Sequence, residues 1–187
     1  MRKTIAASVF VLLFCVGQAK AAGQFSLYAG YMNPGNLNLE SLQEGYGLRG
    51  SGHYGARAEF DFLTYFGIEQ NIGFSPRLVR SYLFPDQASD VRAFFYSTNF
   101  MINIPYRRFV PYVTFGFRFM KPWGSGFSLF GAKFTHDYGG GFKLNRLAGP
   151  FGLRFDARGW RTADIAGQGG AWLLDVSGGL TYSWGGK

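Results

Sequence analysis

The stretch from Ala171 to Trp184, AWLLDVSGGLTYSW, decides the fold because its side chains alternate between apolar and polar or small. A period of two indicates a β-strand with one apolar face. The alternation outlasts the about 5 to 6 residues of an ordinary strand and matches the about 9 to 11 residues that a tilted strand needs to cross a bilayer. The alternative is an amphipathic strand of a soluble barrel.

Residues 1–21 have the pattern of a secretory signal peptide. Two basic residues precede an apolar run that ends at Val16, and Ala19-Lys20-Ala21 forms a small-x-small cleavage site. The apolar run is shorter than the about 20 residues of a membrane-spanning helix. We therefore predict cleavage before Ala22 and one mature domain over residues 22–187.

The single cysteine, Cys15, lies inside the predicted signal peptide. Its lipidation is the alternative to simple cleavage, but the bulky Phe14 stands where a small residue is usual. The predicted mature chain has no cysteine, which excludes a disulfide, a thiolate nucleophile and a cysteine metal site.

The composition indicates strands whose apolar residues are never continuous in sequence. The chain has 28 glycines and 19% aromatic residues, with a mean hydropathy of −0.02. No apolar run after the predicted signal peptide is long enough for a membrane helix. Of the formal charge of +8, three units belong to the predicted signal peptide, and the other cations are dispersed. We therefore predict no nucleic-acid partner.

Seven further segments alternate in the same way, which predicts eight strands in all. The strands fall at about 25–31, 53–62, 66–75, 93–104, 112–119, 133–143, 151–158 and 171–184. Gln70 interrupts the apolar face of the third strand. Divided by eight, the predicted mature length gives about 21 residues for each strand with its connection. The smallest transmembrane barrels have about this length per strand.

Long and short connections alternate between these strands. The longer ones cover residues 33–52, 77–90, the segment that begins with Lys121-Pro122-Trp123-Gly124, and 162–170; the short turns lie near residues 64–65, 106–108 and 145–149. Bacterial barrels have this alternation, with long loops outside the cell and short turns in the periplasm. The sequence thus predicts an all-β, eight-stranded antiparallel transmembrane β-barrel with both termini in the periplasm.

Three features resemble the OmpA-like and OmpX-like family of small outer-membrane barrels over essentially the whole mature length. They are the segment FVPYVTFG at 109–116, Gly139–Phe142 followed by Leu153–Arg158, and the end from Gly179 to Trp184. The resemblance implies a bacterial outer-membrane location. It also implies that Gly179, Tyr182 and Trp184 form the terminal signal that the barrel assembly machinery reads. The family usually ends on the aromatic residue, whereas this chain continues with Gly185-Gly186-Lys187.

Strand parity places many charged residues inside the barrel. They are Arg57, Arg118, Lys133, Lys143, Arg154 and Arg158 against Glu59, Asp61, Glu69, Asp137, Asp156 and Asp175. Since an interior of eight strands is narrow enough for side chains to fill, we predict a salt-bridge network that plugs the lumen. Arg154 is expected to bridge Glu59 and Glu69, with Arg57 and Arg118 in support. Charges inside also disfavour a soluble lipocalin-like carrier, which would need an apolar interior.

The function predicted is a structural or surface-interaction role, with a narrow or gated channel as the alternative. A lipid A-modifying barrel enzyme is a third class. Against it, we expect His53, near Ser51, to be a solvated rim residue and His136 to lie at the membrane interface. We predict no catalytic, cofactor or metal site. The expected partners of this monomer are outer-membrane lipid and lipopolysaccharide, the latter at cations near the loops, Arg77, Arg80, Arg92 and Lys121.

Overall fold

The computed structural model describes residues 22–34, 46–48, 50–62, 64–81, 91–123, 133–161 and 172–185. These residues form antiparallel strands β1 (Ala22–Pro34), β2 (Tyr46–Leu48), β3 (Ser51–Asp61), β4 (Phe66–Ser81), β5 (Val91–Asn103), β6 (Phe109–Trp123), β7 (Lys133–Ala148), β8 (Phe151–Arg161) and β9 (Trp172–Trp184). The part of the chain that is described contains no helix long and apolar enough to cross a membrane. The predicted signal peptide lies outside the described residues.

The eight long strands close into a barrel, which confirms the fold class predicted from the sequence. Each long strand pairs with two neighbours, and the ring closes where β4 pairs with β5 and β1 with β9. The β1–β9 seam runs without interruption from Gly23 opposite Trp184 to Pro34 opposite Leu173. A closed sheet leaves no strand edge unpaired, as a protein surrounded by lipid requires.

The short strand β2 departs from the predicted loop over residues 33–52. It pairs with the far end of β4, with Tyr46 opposite Ser81. This pairing exists because β4 continues beyond Ser75, where the sequence predicted its end. A register shift between Ser75 and Val79 lets the strand pass Pro76, whose missing N–H would interrupt a regular ladder.

Two other strands are also longer than predicted. β6 runs to Trp123, so Lys121 lies on a strand and Pro122 pairs opposite Ala93. β7 reaches Ala148 through a register shift after Leu144, where a turn was predicted. Turn-forming residues marked these ends in the sequence, but main-chain pairing with the neighbouring strand continues past them.

The barrel has two different ends. The turn end carries the short connections, including the two-residue turn in which Tyr106 pairs with Phe109 and Arg107 has φ 57°. The loop end carries the long connections. Outward side chains are mostly apolar and exposed, whereas inward side chains are buried and mostly polar, as the burial of alternate residues in β8 and β9 shows.

Candidate functional site: the luminal charge network

The inward faces of the strands bring charged side chains together in the lumen. β8 contributes Arg154, Asp156 and Arg158 at alternate positions, while Glu59 comes from β3 and Glu69 from β4. The buried luminal charges are Arg57, Glu59, Glu69, Arg118, Asp137, Lys143, Arg154, Asp156, Arg158 and Asp175. Burial of this many ions is tolerable only where each has an oppositely charged partner.

Glu59 and Glu69 stand directly opposite one another on β3 and β4. Like charges at paired positions destabilise a sheet unless a cation lies between them. Arg154 reaches across the lumen, with Nη1 3.2 Å from Glu59 Oε2 and Nη2 2.5 Å from Glu69 Oε2. The structure thus places Arg154 between the two carboxylates, the arrangement that strand parity predicts.

The other cations at this carboxylate pair differ from those predicted. Arg158 forms a bidentate contact with Glu69: Nη1 donates to Oε1 at 2.7 Å and Nη2 to Oε2 at 3.1 Å. Lys143 donates to Glu59 and, at 2.9 Å, to the Asn103 amide oxygen. The prediction named Arg57 and Arg118 here because parity alone cannot say which inward residues meet across a barrel.

Asp156 is the second centre of the network. Its carboxylate lies 2.6 Å from Arg57, 3.0 Å from Arg154 and 2.7 Å from Arg158. It also accepts a hydrogen bond from the Tyr112 hydroxyl. We call the seven linked residues the main network: Arg57, Glu59, Glu69, Lys143, Arg154, Asp156 and Arg158.

A second group, the Arg118 cluster, consists of Arg118, Asp137, Asp175 and His53. Arg118 donates to Asp137 at 2.9 and 3.1 Å and lies 3.5 Å from Asp175. His53 Nε2 is 3.0 Å from Asp175 Oδ1. His53 is only 3% exposed, so the prediction of a solvated rim residue is wrong, because β3 begins two residues earlier and points this ring inward.

Large apolar side chains fill the lumen near its loop end. Phe95 and Trp160 meet edge to face at 5.7 Å, and the Arg118 guanidinium lies 5.1 Å from the Trp160 ring. We call this set the apolar layer: Met32, Ala93, Phe95, Met120, Trp160 and Leu173, all buried. Trp160 shares the parity of the β8 arginines, but it lies beyond Arg158, where the sequence predicted the end of the strand.

The remaining predicted residues lie at the ends of the barrel. Asp61, at the turn end, is half-buried and accepts from Asn103 at 3.0 Å. Arg92 and Lys121 are exposed on the outer wall near the loop end, on the paired strands β5 and β6. The side chains of Arg77, Arg80 and Lys133 lie outside the described residues.

The predicted assembly residues lie beside the barrel seam. A Cβ atom on Gly179 would come within 2.5 Å of the Leu27 carbonyl oxygen, so only glycine fits there. Tyr182 packs edge to face on Phe151 at 5.6 Å. Trp184 does the same on Phe60 at 6.0 Å.

The described residues contain no arrangement typical of a nucleophilic enzyme. Ser51 Oγ donates to the Gly52 carbonyl at 3.1 Å and accepts from Ser75 at 2.8 Å. His136 is exposed on the outer wall beside Phe117, with 5.3 Å between the rings. No group of three or more His, Cys, Asp or Glu in this part of the chain could hold a metal ion.

Comparisons of the amino-acid sequence found no match. No family model matches it, and no curated protein does.

Solved structures, by contrast, share the fold over nearly the whole chain. Neisserial surface protein A superposes with a TM-score of 0.61 at 10% identity, covering 88% of this chain and 97% of that one. OprG of Pseudomonas aeruginosa gives 0.53 at 12% identity, covering 88% and 97%. Ail of Yersinia pestis, in complex with the heparin analogue sucrose octasulfate, gives 0.52 at 15% identity, covering 89% and 100%.

These likenesses define the class of the molecule. It is a small eight-stranded β-barrel with the fold of bacterial outer-membrane proteins. At the level of the fold, the predicted resemblance to the OmpA-like and OmpX-like barrels is confirmed.

Proposed function

We propose that the protein is a non-conducting outer-membrane barrel with a structural or surface-interaction role, and that the luminal charge network plugs it. The observation that carries the proposal is the bridge from Arg154 to Glu59 and Glu69, which spans the lumen. Nearer the loop end, the buried side chains of the Arg118 cluster and the apolar layer also lie in the lumen. An ion would have to displace paired charges and packed rings to pass.

The two ends of the barrel support an orientation in the membrane. In bacterial barrels the short turns face the periplasm and the long loops face outward. We therefore propose that both termini are periplasmic and that the loops contact partners outside the cell. The function of the molecule would then reside in those loops, held at a fixed spacing by the barrel.

Conductance across a planar bilayer separates the plug from the alternative channel. We expect the refolded wild-type protein to give no channel steps, because every path through the lumen meets the main network. Regular steps at low voltage would contradict the plug and favour a narrow channel. Steps that appear only at high voltage or in urea would mark partial unfolding, which a heat-dependent gel shift detects independently.

Lipopolysaccharide is the lipid partner that we propose for the outer wall. Arg92 and Lys121 are exposed on adjacent strands at the loop end, where phosphate groups of outer-leaflet lipid would lie. A cation near an anionic membrane surface contributes about 1 kcal/mol. Ail, a barrel of similar fold, was solved with a sulfated sugar analogue, which supports anion binding by such a barrel.

Removal of these two charges tests the lipopolysaccharide contact. We expect Arg92→Ala with Lys121→Ala to weaken binding by about 2 kcal/mol in total and to lower the lipopolysaccharide that co-purifies. Arg107→Ala with Arg108→Ala, at the opposite end, is the control of equal charge. Equal co-purification by both double variants would refute the contact.

The terminal aromatic residues test the assembly signal. We expect Tyr182→Ala with Trp184→Ala to reduce the amount of folded protein in the outer membrane, because both rings pack at the barrel surface where interfacial aromatics belong. The control is Phe151→Ala, which removes the ring that Tyr182 contacts but leaves the chain end intact. Equal surface levels for the double variant and the wild type would argue against the signal.

A further inference from the structure

A polar cluster interrupts the apolar outer wall between β4 and β5. It consists of Gln70, Tyr96 and Thr98, all pointing outward. Tyr96 donates its hydroxyl hydrogen to Gln70 Oε1 at 2.5 Å, and Thr98 does so at 2.8 Å. Neither the luminal network nor the proposed lipopolysaccharide contact uses these groups.

The cluster lies at the middle of the membrane. Thr98 is six residues along the chain from Arg92, the charged residue near the loop end, and six from Ile104 at the turn end. At about 3.3 Å per residue and a tilt of about 40°, each distance corresponds to about 15 Å along the membrane normal. The hydrocarbon core is about 30 Å thick, so the cluster is far from water on either side.

The Gln70 amide has unused hydrogen-bond donors. The two hydroxyl groups occupy its oxygen, and among the described residues none accepts from Nε2. Hydrocarbon offers no acceptor, and an amide N–H without a partner is costly at this depth. A ligand for this surface must therefore bring acceptor oxygens to the centre of the bilayer, which an acyl chain cannot do.

The wall next to the cluster permits close approach. On β3, Ala58 stands opposite Gln70 and Ala56 opposite Ile72. On the far side of these alanines, Phe25 and Leu27 of β1 form a ridge. Small side chains at such positions let membrane-embedded surfaces pack tightly, so the two alanines leave a shallow depression beside Gln70.

We propose that two copies of this chain associate in the membrane through this face, with Gln70 at the centre of the interface. The patch carries both unused donors and hydroxyl acceptors, so it is complementary to itself. Two copies inserted in the same direction present the patch at the same depth and meet across a two-fold axis parallel to the membrane normal. This proposed dimer differs from the monomer that the sequence predicts, and the proposal does not depend on the luminal plug.

Cysteine crosslinking in native outer membranes tests the dimer. Ile72→Cys places a thiol next to Gln70 on a side chain that is 50% exposed, and near a two-fold axis it faces its own copy. Val176→Cys, on β9 and 51% exposed, is the matched control, and the predicted cleavage of the signal peptide removes Cys15 from both variants. We expect a crosslinked dimer from Ile72→Cys and background from Val176→Cys. Equal yields from the two, or a crosslink only to a different protein, would overturn the proposal.

The role of the amide is tested in the same background. We expect Gln70→Leu to reduce the crosslinked dimer about tenfold, because two hydrogen bonds within the membrane are lost. Gln70→Met provides a second apolar replacement, and the heat-dependent gel shift checks that each barrel is folded. Subunit counting by photobleaching in lipid vesicles should give two copies for the wild type and one for Gln70→Leu. An unchanged dimer fraction in folded Gln70→Leu would refute the role of the cluster.

Discussion

Arg154→Ala is expected to lower the free energy of unfolding by about 3 to 5 kcal/mol, the usual cost of removing one partner of a buried ion pair. The loss is large because Arg154 contacts both Glu59 and Glu69, which stand opposite one another on adjacent strands. Urea unfolding of the refolded barrel measures this free energy. We also expect channel steps in a planar bilayer, since the bridge across the lumen is gone.

A charge-compensating variant distinguishes repulsion from lost packing. Glu59→Gln with Glu69→Gln, added to Arg154→Ala, removes the two carboxylates that the first change leaves without their shared cation. We expect part of the stability to return. Arg161→Ala, at the exposed end of the same strand, should change the free energy by no more than about 0.5 kcal/mol. If Arg154→Ala unfolds at the same urea concentration as the wild type and does not conduct, the plug is wrong.

Asp156→Asn should be comparably harmful, at about 3 to 5 kcal/mol. This carboxylate contacts three guanidinium groups, those of Arg57, Arg154 and Arg158. An amide of the same size carries no charge, so these three ion pairs would be lost. The four cations of the main network would then share only the two glutamate carboxylates. We expect any conductance of this variant to favour anions, which reversal potentials in a salt gradient would measure.

Two controls separate this effect from a general sensitivity of luminal carboxylates. Asp61→Asn alters a half-buried group at the turn end that contacts Asn103, and it should cost less than Asp156→Asn. Adding Arg57→Met to Asp156→Asn removes one uncompensated cation and should recover stability. Equal losses from the two aspartate variants would contradict a network centred on Asp156.

Strand number and the direction of each side chain were predictable because both follow from a period of two. That period placed Arg154 and Asp156 in the lumen without any knowledge of the third dimension. It could not determine height, because neighbouring strands are staggered around a barrel. Hence Arg158 and Lys143 stand at the glutamate pair, while Arg118 lies among Asp137, Asp175 and His53 nearer the loop end.

Strand ends were less predictable than strand faces. Pro76 and Pro122 indicated in the sequence that a strand ends there, yet β4 and β6 continue through them. A neighbouring strand supplies main-chain partners there, a contribution that local sequence does not contain. β3 is also longer than predicted, since it begins at Ser51. His53 therefore lies within the strand and not at its end, where contact with water was expected. Parity alone would assign Trp160 to the lumen, but the predicted strand ended at Arg158, whereas β8 continues to Arg161.

The opposed Glu59 and Glu69 also affect how the barrel forms. An isolated β3–β4 hairpin would set two carboxylates face to face, so local pairing there is opposed from the start. Relief comes from Arg154, which is 95 positions from Glu59 and 85 from Glu69 along the chain. We therefore expect the β3–β4 hairpin to become stable only when β8, the strand before last, joins the barrel. We therefore expect folding and closure of the barrel to occur as one cooperative step.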